Sequence, residues 1–103
     1  LTGYRFTDSV TRSAMKKIYA NAGYIADPHG AVGYLGLNHY LDNHPNKYGV
    51  FLETAHPVKF LNTVEETLNT KVELPSRIQS LFSKEQKSVS VTNYADLKAY
   101  LLA

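Results

Sequence analysis

The chain has 103 residues, a formal charge of +2 at neutral pH, 44% hydrophobic and 19% charged residues, and no cysteine. That length fits one domain with a modest core, and the composition is that of a folded globular protein, not a disordered one. Without cysteine there is no disulfide, thiolate metal site or thiol nucleophile, which suits a reducing compartment such as the cytoplasm. No run of about 20 apolar residues is present to span a membrane, and no basic-then-apolar leader opens the chain. The basic residues are spread out and form no dense stripe, so no nucleic-acid partner is expected.

The first predicted element is a helix over residues 7–22. Thr7 or Asp8 caps it and Gly23 stands where a helix stops. Val10, Ala14, Ile18 and Ala22 recur every fourth residue, with Met15 and Tyr19 beside them, and give it one apolar face. After a short extended piece, Tyr24-Ile25-Ala26, the pair Asp27-Pro28 opens a second helix that runs to about His44. Gly30, Gly33 and Gly36 recur along it. Each glycine costs roughly 1 kcal/mol against alanine in a helix, so their spacing implies that something packs close to that backbone.

Tyr48-Gly49-Val50-Phe51-Leu52 is an apolar run of strand length without polar alternation, which predicts a strand buried on both faces. Glu53-Thr54-Ala55-His56 leads off its end. Pro57 opens a third helix, with Phe60, Leu61, Val64 and Leu68 directed inward. Pro75-Ser76 starts a short helix to about Phe82. Ser88-Val89-Ser90-Val91-Thr92 alternates strictly and predicts a half-buried strand. Asn93 caps a last helix with Leu97, Tyr100 and Leu101 facing inward. The expected class is therefore α/β: helix-rich, with a few strands that belong to a larger sheet. Two strands cannot cover so many apolar helix faces, and the chain opens at Leu1 instead of Met; both predict a piece of a longer protein, treated as a single fragment over residues 1–103.

Two stretches carry candidate chemistry. Asp27-Pro28-His29-Gly30-Ala31-Val32-Gly33 is a helix start with small residues, which is either an anion site or a capped helix whose glycines ease packing. Glu53-Thr54-Ala55-His56-Pro57-Val58-Lys59-Phe60 supplies a hydroxyl, an imidazole and an ammonium just past the predicted strand, where open α/β sheets place ligands; the plain alternative is a polar strand–helix turn. The histidines make no metal pattern: His39 and His44 are five apart and miss the one-face spacing of helical ligand pairs, so no metal is expected.

These two motifs, in this order, resemble the Asp-Pro-His-x-Ala-Val-Gly and Thr-Ala-His-Pro-x-Lys-Phe signatures of the threonine synthase family. Gly23-Tyr24-Ile25, Leu74-Pro75, Asn93-Tyr94, Leu97 and Tyr100-Leu101 also fit that family's C-terminal portion, so the similarity covers nearly the whole chain. The resemblance implies a fold type II enzyme that uses pyridoxal 5'-phosphate to convert O-phosphohomoserine and water to threonine and phosphate. It implies that Thr54 faces the cofactor's pyridine nitrogen, and that His29, His56 and Lys59 lie by the substrate and its phosphate. The family's Schiff-base lysine sits in a Phe-Lys-Asp context that these 103 residues do not contain, nor do they contain its cofactor-phosphate loop. The fragment alone is thus expected to be inactive and not to hold the cofactor, and its incomplete sheet is expected to self-associate. The alternative is a stand-alone, non-catalytic binding or interaction module that kept the motifs as scaffold.

Overall fold

The computed structural model describes residues 2–103. The described residues form two compact units, one over residues 2–73 and a second over Leu74–Ala103. The first unit holds helices α1 (Asp8–Ala22) and α2 (Pro28–Asp42), a 3-10 turn over Pro57–Phe60, and α3 (Leu61–Leu68). The second holds the short α4 (Ser76–Gln79) and α5 (Tyr94–Leu102). No helix among the described residues is long and apolar enough to cross a membrane.

The helix ends follow from local chemistry. The Thr7 hydroxyl accepts the Val10 N–H at the start of α1, and Gly23 closes it at φ 64°, a left-handed conformation that glycine adopts without steric cost. The Asp27 side chain caps α2 through the N–H groups of His29 and Gly30, with Pro28 in the first turn. Asn93 caps α5 by accepting the Asp96 N–H at 3.0 Å, while Thr92 and Asn93 both donate to the Asp96 carboxylate.

The core of the first unit is small: Ala14, Met15, Ile18, Ala26, Ala31 and Val64, with Ile25, Tyr34, Leu35, Phe60, Leu68 and Val72 packed against it. The buried face of α1 is Thr11, Ala14, Met15 and Ile18. It is rotated from the face predicted above, and Val10 and Tyr19 stand in solvent. Arg12 ties α1 to α3 by donating to the Thr67 hydroxyl at 2.7 Å, with Glu66 at 3.7 Å. Beyond α3, Lys71 pairs with Glu65 at 2.8 Å, and the Val72 N–H donates to the same carboxylate.

The strands predicted at 48–52 and 88–92 do not form. None of the described residues is in a strand, so the α/β class is corrected to a helix-rich structure. A strand is defined by its ladder, and neither segment has a ladder partner among the described residues. Residues 48–53 instead run extended along α2, with Phe51 and Glu53 turned toward the helix and Val50 and Leu52 outward at 89% and 79% exposure. A run expected to be buried on both faces is thus covered on one. The glycines of α2 make this approach feasible. A Cβ at Gly33 would lie 3.5 Å from the Phe51 ring, and one at Gly30 would collide with the Glu53 carboxylate.

In the second unit, every residue from Leu81 onward is exposed. Leu97, Tyr100 and Leu101, predicted to face inward, are open to solvent.

Candidate functional site

Both motifs belong to the first unit, and they touch at two points. Glu53 lies over Gly30, in the first turn of α2. The His29 ring packs on Phe60, with centroids 4.9 Å apart. The first contact depends on the absence of a side chain at Gly30; the second depends on the 3-10 turn that Pro57 starts.

Asp27 is fully buried. Its Oδ1 accepts the His29 N–H at 2.6 Å and the Gly30 N–H at 3.4 Å, and lies 3.2 Å from His29 Nδ1. The amides at the start of α2 are therefore taken by this cap. The cap expected from Asp27-Pro28 is thus formed. His29 Nδ1 faces an acceptor and so carries its proton there; the rest of the ring is largely in solvent.

His56 caps the 3-10 turn. Its Nδ1 accepts the Val58 N–H at 3.2 Å, which places the proton of the neutral ring on Nε2. Thr54 and Lys59 are exposed. Among the described residues the Thr54 hydroxyl makes no hydrogen bond and Lys59 no ion pair. Among the described residues there is also no group of three or more His, Asp or Glu placed to hold a metal ion.

The sequence marked Asp27 as a helix cap but left Glu53 without a role and did not pair the two. Asp27 Oδ2 and both Glu53 carboxylate oxygens are buried, and among the described residues none of them makes a well-formed hydrogen bond. Burial first, and then the hydrogen bond and negative charge of the Asp27 side chain, push the Glu53 carboxyl up from 4.5 to about 7, against a smaller lowering by the Asp27 backbone N–H. Burial also works to raise Asp27, but hydrogen bonds from Glu53 and from the His29 and Gly30 N–H groups hold it below the usual carboxylate range. Tyr24 is raised by burial and by the charges of Glu53 and Asp27. The only local hint in the sequence was Gly30, whose missing side chain leaves room for a carboxylate.

A family model described as "Threonine synthase, C-terminal" matches residues 30–101. The chain belongs to the threonine synthase family. It is 37% identical to threonine synthase of Buchnera aphidicola subsp. Acyrthosiphon pisum over 97 residues, which covers 93% of this chain and 22% of that protein. It is 38% identical to the Escherichia coli enzyme over 76 residues, covering 74% of this chain and 17% of that one. The crystal structure of threonine synthase from E. coli superposes with a TM-score of 0.81 at 32% identity, over 92% of this chain and 22% of that chain. The chain thus spans about a fifth of the length of the threonine synthases it matches, and it corresponds to their C-terminal region.

Proposed function

We propose that the chain forms one wall of the active site of a threonine synthase, an enzyme that releases phosphate from O-phosphohomoserine and adds water to give threonine. What carries this reading is membership of the family together with the two motifs, which meet through Glu53 on Gly30 and His29 on Phe60.

The residues fit pyridoxal phosphate in part. A solvent-facing hydroxyl without a hydrogen bond, as at Thr54, suits the ring nitrogen of the cofactor. The start of α2 does not suit its phosphate, because Asp27 already occupies the amides there. When bound, pyridoxal phosphate supplies an electron sink for the negative charge that develops on the substrate carbon. Thr54 would then tune that sink. A carboxylate opposite the ring nitrogen would keep it protonated, whereas a neutral hydroxyl leaves it largely unprotonated. His56, with its proton on Nε2, donates to a phosphate oxygen of O-phosphohomoserine, and Lys59 supplies positive charge beside it. His29 lines the same side through its exposed ring edge.

No observation favours a stand-alone, non-catalytic module. The test is phosphate release from O-phosphohomoserine in the presence of pyridoxal phosphate. The 103-residue polypeptide by itself is expected to show none. A chimera in which it replaces the matching region of the E. coli enzyme is expected to turn over. A folded chimera that binds the cofactor and releases no phosphate would overturn the reading.

A further inference from the structure

The packing at the start of α2 leaves a problem in electrostatics. Asp27 Oδ2, Glu53 Oε1 and Glu53 Oε2 are buried, and none makes a well-formed hydrogen bond among the described residues; Asp27 Oδ1 is already committed to His29 and Gly30. Two ionised carboxylates facing one another out of water are strongly unfavourable, and a buried acceptor without a donor costs its full desolvation. The other titratable groups around the pair are His29, on α2, and Tyr24, on the segment before it. The His29 ring reaches Asp27 Oδ1, on the opposite side of that carboxylate from the orphaned oxygen. Among the described residues Tyr24 makes no hydrogen bond to either acid, and its own ionisation is disfavoured by both of them. A proton carried by one carboxyl and accepted by the other satisfies two of these three buried oxygens from within and removes one of the two facing charges.

We propose that Asp27 and Glu53 hold one proton between them, and that this proton is the clasp that fixes residues 53–56, with Thr54 and His56, to the first turn of α2. The O–H of Glu53 donates to Asp27 Oδ2. Gly30 admits the Glu53 side chain to within reach, since any Cβ there would expel it. Thr54 adjoins the clasped residue, so its position relative to α2 is set by whether the proton is present. Loss of the proton leaves two facing buried charges, and the segment moves away from the helix to let water in. The clasp is a property of this chain's own packing and does not depend on which cofactor or substrate the site takes.

The test is an NMR titration of the isotopically labelled chain from about pH 4 to pH 9. The side-chain carboxyl carbons of Asp27 and Glu53 are followed together with the backbone amides of Gly30, Thr54 and Ala55. The His29 ring is followed through its own carbon-bound protons, so that any change in that ring is kept apart from the change at the carboxyl pair. We expect the Glu53 carboxyl to lose its proton near neutral pH, and the three amides to shift with the same midpoint. In Glu53→Gln the side-chain amide donates to Asp27 at every pH, and the amide steps should vanish. A Glu53 carboxyl that titrates in the ordinary glutamate range would overturn the proposal. So would amides of 53–55 that stay still while Glu53 ionises. Should Glu53→Gln not fold, the titration of the native chain decides alone.

Discussion

Asp27 does two things with two oxygens. One caps α2 through the N–H groups of His29 and Gly30, and the other is buried without a well-formed hydrogen bond, the oxygen we assign to the proton shared with Glu53. The cap was legible from Asp27-Pro28, because capping is local chemistry. The Glu53 contact was not, because its partner is distant in sequence and no periodicity encodes the meeting. The pair gives stability a defined pH dependence. Glu53 is raised on folding, so its contribution is fully present below about pH 4.5 and is lost as pH rises through about 7. Asp27 is lowered, so its contribution is present above its ordinary value of 3.8 and is lost as pH falls below it. Stability from the pair is therefore greatest in weak acid. It falls toward neutral pH with a slope of up to about 1.4 kcal/mol per pH unit, the value for one proton. Urea unfolding of the native chain at a series of pH values, set against Glu53→Gln, should show the slope in the first and its loss in the second. Equal slopes would remove Glu53 as the cause.

Among the elements, the helices were legible and the strands were not. Caps, a glycine stop and fourfold apolar spacing located α1 to within a residue, yet the spacing 10, 14, 18, 22 chose a face slightly off the observed one. The buried set Thr11, Ala14, Met15 and Ile18 includes a threonine that hydropathy alone assigns to solvent. Its hydroxyl is satisfied by the Thr7 carbonyl at 3.0 Å, which makes burial affordable. Met15 is the largest fully buried side chain and joins α1 to the rest of the core. Met15→Ala should cost about 2–5 kcal/mol, as large-to-small core changes do, and chemical denaturation measures it; a loss under about 1 kcal/mol would mean that this core does not hold the unit together. The run 48–52 misled because continuous apolarity was read as burial on two faces. What forms is an extended segment with Phe51 packed edge-on against Tyr34 of α2 at 6.0 Å and its apolar neighbours outward.

For the whole molecule, the consequence is an exposed apolar surface. Tyr48, Val50 and Leu52 are each at least 79% exposed, on a segment whose backbone has no ladder partner among the described residues. Such a surface favours association. Sedimentation velocity of the chain over a range of concentrations should show species larger than the monomer, and Val50→Lys should shift them toward monomer. A native chain that stays monomeric throughout would contradict this. The family itself was legible from the two motifs, since side-chain chemistry at fixed spacing survives where packing cannot be read. Their meeting in space, through Gly30 and Phe60, needed the structure. The central claim is that this chain supplies the hydroxyl opposite the cofactor's ring nitrogen. The most direct measurement is steady-state phosphate release by the E. coli chimera carrying Thr54→Ala or Thr54→Ser. The account predicts that alanine lowers kcat at least about tenfold, the loss of one strong hydrogen bond in the transition state, and that serine restores most of it. Unchanged kcat in the alanine variant would contradict it.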